Sequence, residues 1–179
     1  MKIFIDPGHG GGSTGAFANG LTEKEMTLLT AKAMENQLLK HGYHVKLSRC
    51  ADKDVFLCQR ARRANTWNAN YFISCHYADD PSRCGKVFYQ KNNQESLRLA
   101  EAIAQALRQE LDLKILVTPL LNSFDDDYFA VLRQAKMPAV MLLPCALCQS
   151  GRAETPKLAA SAVGVCAADA LHQMISANG

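Results

Sequence analysis

Several features are scarce in this sequence, and each scarcity narrows what the protein can be. No uninterrupted apolar run reaches the roughly 18 residues that a membrane-crossing helix needs, so no span is expected. The apolar start Lys2-Ile3-Phe4-Ile5 breaks at Asp6-Pro7-Gly8, short of the ~7–15-residue core of a signal peptide. An excess of one charge is missing: 20 Lys+Arg against 17 Asp+Glu leave +3, far below the basic face of a nucleic-acid-binding domain. Repeats, low-complexity tracts and dividing linkers are absent, so the 179 residues are expected to form one domain, 1–179. Disulfide staples are not expected either. The cysteines (Cys50, Cys58, Cys75, Cys84, Cys145, Cys148 and Cys166) are odd in number, and a domain of this size does not need them. The chain is expected to be cytoplasmic as synthesised.

What is present points to a packed α/β domain. Hydrophobic residues make up 48%, enough for a core and too many for a disordered chain. Runs rich in β-branched and aromatic residues predict strands at Lys2–Asp6, Tyr43–Ser48, Tyr71–His76, Lys86–Gln90, Lys114–Thr118 and Ala139–Leu143. Helix-period stretches lie between them. The first opens at Thr22 with Glu25 three residues on, a capping box, carries Met26, Leu29 and Ala33, and stops at Gly42. A second, after Asp54, shows Leu57, Ala61 and Ala64 on one face. A third shows Leu97, Ala100, Ala104, Leu107 and Leu111. The last opens at Thr155-Pro156, with Val163, Ala167, Ala170 and Met174 as its stripe. This alternation predicts a three-layer α/β sandwich: a mostly parallel sheet of about six strands flanked by helices on both faces.

In such a sheet ligands gather beyond the carboxyl ends of the strands. His9 and His76 fall there, whereas His41, His44 and His172 read as ordinary surface histidines. Neutral imidazoles suit zinc, and a catalytic zinc takes three protein ligands plus water. Glu23, in the first turn after the glycine loop, is a candidate third ligand, although the helix dipole alone would favour a carboxylate there. The loop itself, Gly10-x-Gly12-x-x-Gly15, also satisfies a dinucleotide-binding fingerprint, but the helix opens too late for its amides to hold a pyrophosphate. Cys145 and Cys148 form a lone CxxC, read as packed thiols with a redox role as the alternative.

Taken together, Ile5-Asp6-Pro7-Gly8-His9-Gly10-Gly11, Gly20-Leu21-Thr22-Glu23-Lys24 and Ser74-Cys75-His76 resemble the catalytic domain of zinc-dependent N-acetylmuramoyl-L-alanine amidases, which are peptidoglycan hydrolases. Ser48-Arg49 followed by Asp52, Leu57-x-x-Arg60-x-x-x-Ala64-Asn65, Tyr128 followed by Val131-Leu132-Arg133, and Met137-Pro138-Ala139-Val140 extend the resemblance in order. It implies Zn2+ held by His9, Glu23 and His76, and peptidoglycan or a muropeptide as partner. The reaction it implies is cleavage of the amide between N-acetylmuramic acid and L-alanine. It also implies a general-base glutamate where this chain has Leu143. Three expectations follow. The domain is a zinc- and peptidoglycan-binding pseudoenzyme; or Asp125, Asp126 or Asp127 substitutes, unless they form only a solvated acidic turn; or Cys145 closes the zinc shell as a fourth ligand. A wall location would then require release by lysis or dedicated secretion.

Overall fold

Strand and helix alternate in the computed structural model, which describes residues 1–18, 20–77, 84–144 and 156–177. The order is β1 (Lys2–Pro7), β2 (Phe17–Ala18), β3 (Leu21–Thr22), α1 (Glu23–Lys40), β4 (His44–Leu47), α2 (Leu57–Thr66), β5 (Tyr71–Cys75), β6 (Gly85–Tyr89), α3 (Gln94–Leu111), β7 (Ile115–Thr118), α4 (Ala130–Gln134), β8 (Ala139–Leu143) and α5 (Pro156–Ser176). The six predicted strands pair in the order β4-β1-β5-β8-β6-β7, while β2 and β3 form a separate antiparallel hairpin. Every pairing in the large sheet is parallel except β6 with β8. Hence β6 and β7 run against the other four. The carboxyl ends of β1, β5 and β8 share one rim, and the loops leaving β6 and β7 emerge at the other.

The period of two along each strand builds two cores. Ile3, Ile5, Ile73, Val140 and Leu142 face Met34, Leu38, Leu99, Ile103, Leu107 and Leu171 on one side. Phe4, Phe72, Ala139 and Met141 face Ala64, Val131 and Leu132 on the other. Thus α1, α3 and α5 cover one face, α2 and α4 the other, and the sandwich has its three layers. Leu57, expected on the buried stripe of α2, is 58% exposed. The inward positions of that helix are Arg60, Ala61 and Ala64.

By length and composition α5 is apolar enough to cross a bilayer, contrary to the sequence expectation. Here it is a core helix: Val163, Cys166, Ala167, Ala170 and Leu171 are buried. Its many alanines raise hydropathy and also allow close packing. A Cβ on Gly164 would stand 2.3 Å from the Thr30 carbonyl oxygen of α1, so that glycine permits the helix contact. Thr155, the expected cap, lies outside the described residues. Among the described cysteines, Cys75 and Cys166 are buried, Cys84 half-buried, and Cys50 and Cys58 exposed.

Candidate metal centre

The parallel register of β1 and β5 pairs Pro7 with Cys75, so both strands end side by side at the same rim. Gly8 N–H continues the ladder to the Cys75 carbonyl at 2.9 Å, and His76 N–H donates to the Leu142 carbonyl at 2.8 Å. His9 therefore follows one strand and His76 the next. The third element arrives through the hairpin. Glu23 N–H donates to the Ala16 carbonyl at 2.8 Å and Lys24 N–H to that of Thr14 at 3.1 Å, which fixes the start of α1 against the His9 loop.

At this junction the ligand atoms of His9, Glu23 and His76 all lie within 4.8 Å of one another. Glu23 Oε2 is 3.1 Å from His9 Nε2, and Glu23 Oε1 is 2.9 Å from His76 Nδ1. The same carboxylate accepts the Ala16 N–H at 2.9 Å and the Tyr77 N–H at 3.0 Å. Burial alone would push its pKa up. Hydrogen bonds to His76 and His9, the charge of His76 and the Ala16 amide outweigh that, holding Glu23 well below the usual carboxylate range. Glu23 is only 5% exposed, and its carboxylate is met by two backbone amides and two imidazole nitrogens. Glu25 secures the helix start instead. Its Oε2 accepts the Thr22 hydroxyl at 2.7 Å and the Thr22 N–H at 3.2 Å, so cap and cluster use separate carboxylates.

The glycines make room for this cluster rather than for a phosphate. A Cβ at Gly8 would sit 2.3 Å from His76 Cε1. One at Gly15, whose φ is +67°, would sit 2.5 Å from Glu23 Oε2 and 2.7 Å from His9 Cδ2. The loop amides needed by a pyrophosphate are already engaged. Gly11 N–H donates to Asp52 Oδ1 at 2.7 Å and Gly12 N–H to Asp54 Oδ1 at 3.0 Å, and those carboxylates would repel a second anion. The dinucleotide reading of Gly10–Gly15 fails on this geometry.

Ser13 lies 2.9 Å from His9 Nδ1 and so bonds the ring nitrogen that does not face Glu23. No pattern marks it beforehand, because a single serine in a glycine-rich loop carries no signal in sequence. Two imidazoles and one ionised carboxylate fit a divalent ion of borderline softness.

Leu143 ends β8, one residue beyond the Cys75–Leu142 pair and opposite Lys86 of β6. Its half-buried side chain packs against the apolar cluster on the face that α2 and α4 cover. Asp125, Asp126 and Asp127 lie elsewhere. Asp127 Oδ1 accepts the Lys91 N–H at 2.9 Å, just past the end of β6, and Gln90 accepts the N–H of Ala139 at the start of β8 at 3.0 Å. The length of β8, ~3.3 Å per residue, separates that end from Leu143. These aspartates therefore stand at the rim opposite the cluster and cannot serve as its base. Nor is the turn merely solvated, because Asp127 is buried and burial pushes its carboxyl up. Cys145 and Cys148 lie outside the described residues. His44 is exposed, but His41 and His172 are not plain surface groups: they are half-buried and stack at 3.9 Å between centroids.

The family model described as N-acetylmuramoyl-L-alanine amidase matches residues 3–175. The chain is 56% identical over 78 residues to the N-acetylmuramoyl-L-alanine amidase CwlM of Bacillus licheniformis, covering 42% of this chain and 31% of that protein. It is 38% identical over 146 residues to the probable cell wall amidase LytH of Staphylococcus epidermidis, covering 78% and 46%. It thus spans less than half the length of either relative. Among solved structures, the N-acetylmuramoyl-L-alanine amidase AmiC2 of Nostoc punctiforme superposes with a TM-score of 0.79 at 30% identity, covering 99% of this chain and 96% of that one. Agreement in sequence and in fold across nearly the whole length carries one conclusion: this chain belongs to the N-acetylmuramoyl-L-alanine amidase family.

Proposed function

We propose that His9, Glu23 and His76 hold a zinc ion and that the domain acts on peptidoglycan at the amide joining N-acetylmuramic acid to L-alanine. The observation that carries this reading is the convergence of two imidazoles on one buried, ionised carboxylate at the rim where β1 and β5 end. Zinc, when bound, polarises a carbonyl and lowers the pKa of its water toward ~7. The chain's own residues supply the rest. The Ala16 and Tyr77 amides orient Glu23, and the Ser13 hydroxyl bonds His9 Nδ1 and so orients the ring with Nε2 toward Glu23.

Proton transfer is where the chain departs from its family. The glutamate that would take a proton from the attacking water and pass it to the leaving amine is replaced by Leu143, which does neither. General acid–base catalysis is worth roughly 10²–10⁴-fold, so turnover is slow and binding persists. The second reading, a pseudoenzyme that binds zinc and muropeptide without cleavage, is favoured by the apolar packing of Leu143. Similarity to cell wall amidases supports a substrate in the wall.

Metal analysis and digestion of purified sacculi, run on one preparation, test the reading. One zinc per chain is expected, with thermal stability raised by about 2.7 kcal/mol at a hundredfold excess over Kd and reversed by a chelator. Slow release of stem peptides supports the enzyme, and none at all supports the pseudoenzyme. A chain that takes up no zinc would end both.

A further inference from the structure

Beneath the cluster lies a buried polar assembly that the proposed chemistry does not use. Asp6, Arg49 and Arg60 are 0%, 4% and 6% exposed. We propose that Arg49 and Arg60 are positioning residues that set the geometry of the metal triad by gripping the backbone carbonyls of Pro7, Gly8 and His9. This inference rests on the zinc reading above.

The grip is specific. Arg60 Nη1 donates to Asp6 Oδ1 and to the Pro7 carbonyl, both at 2.8 Å, while Nη2 donates to the His9 carbonyl at 2.9 Å and that of Val55 at 3.0 Å. Arg49 Nε donates to the Pro7 carbonyl at 3.2 Å, and Nη2 to the Gly8 carbonyl at 2.8 Å. Three successive carbonyls leading into and including His9 are therefore held by two guanidinium forks. The conformation they hold needs holding, because His9 has φ +58°, a left-handed geometry uncommon for a residue with a side chain.

Arg49 also reaches the helix that carries Glu23, and Arg60 is linked through Asp6 to the strand that leads to His76. Arg49 Nη2 donates to the Lys24 carbonyl at 2.8 Å and to Thr27 Oγ1 at 3.0 Å, tying the His9 loop to the turn of α1 that bears Glu23. Asp6, the anion paired with Arg60, accepts Ser74 Oγ at 2.9 Å on β5, two residues before His76. It also accepts Ser48 Oγ at 2.6 Å. The assembly thus joins the three parts of the chain that deliver the triad. Only arginine suits the role: its planar fork spans several acceptors, whereas lysine offers three donors from one point.

Arg60→Lys and Arg49→Lys, compared with the unmodified chain, test this. Zinc affinity is measured by competition with a chromophoric chelator, and the His9 and His76 rings are followed by their nitrogen NMR signals. A loss of about 10–100-fold in affinity is expected for each variant, as for other groups that orient metal ligands, with the His9 signals moved more than those of His76. Leu132→Ala, a change in the core under α4, controls for instability: its melting temperature should fall while affinity stays. In the unmodified chain, zinc should slow hydrogen exchange at both guanidinium groups, a readout that stands even if a lysine variant does not fold. Unmodified zinc affinity and unmoved His9 signals in the lysine variants would overturn the positioning role and leave the metal centre standing. So would guanidinium exchange indifferent to zinc. Failure of the unmodified chain to bind zinc, or full binding by His9→Ala, would overturn the metal reading itself.

Discussion

On the proposed reading, the side chain at the end of β8 limits how fast this domain works. Leu143 occupies a rim position next to the strand that delivers His76, with Lys86 across from it on β6. Leu143→Glu would bring a proton acceptor to that rim. Release of stem peptides from sacculi should then rise by roughly 10²-fold or more, because a positioned carboxylate contributes 10²–10⁴. The gain is opposed by the cost of placing a carboxyl against this apolar cluster, so a modest loss of stability should accompany it. Unchanged or lower turnover in a folded, zinc-loaded Leu143→Glu protein would refute the proposal that Leu143 limits proton transfer.

Among the elements, the pairing of α1 with α5 rests on matched chemistry. Gly164 allows the helices to touch, and a polar cluster fastens their far ends. His41 Nε2 lies 2.6 Å from Asp169 Oδ1, Gln37 Nε2 donates to the same oxygen at 2.8 Å, and Tyr43 Oη is 3.0 Å from Nδ1 of the stacked His172. For Asp169, burial would raise the pKa, but hydrogen bonds from Gln37 and His41 and the charges of His41 and His172 lower it below 3.8. A carboxyl depressed in the folded state adds stability that is present above its unfolded value and is lost as the pH falls through its folded one. Asp169→Asn should therefore cost under about 1 kcal/mol near neutral pH, given its partial exposure, and nothing once the pH is well below 3.8. Denaturant titrations from neutral to acidic pH check this; a deficit that does not shrink on acidification would refute it.

Across the whole molecule, strand direction partitions function. Because β6 and β7 oppose the other strands, the Asp125–Asp127 turn sits a full strand length from the cluster, beyond the ~8 Å over which exposed charges act at physiological salt. Asp125→Asn and Asp126→Asn should leave zinc content and sacculus digestion unchanged. Altered turnover in either variant would mean that this turn reaches the site by a route the fold does not provide.

Much of this was readable residue by residue. Period-two and period-3.6 patterns placed the six strands of the sheet and the longer helices, and the Asp-Pro-Gly-His, Thr-Glu and Ser-Cys-His segments marked the three side chains that converge. Local steric and hydrogen-bonding preferences suffice for the strands and helices, whereas the three side chains were marked by the family resemblance and not by spacing. The two-residue strands β2 and β3 and the five-residue α4 carry too few residues to show a period. The reversal of β6, the stacking of His41 on His172, and the closure of Arg49 and Arg60 around the His9 loop emerged only on folding. Each joins segments distant along the chain, and no local pattern encodes the direction or distance at which such segments meet; packing against the rest of the molecule selects it.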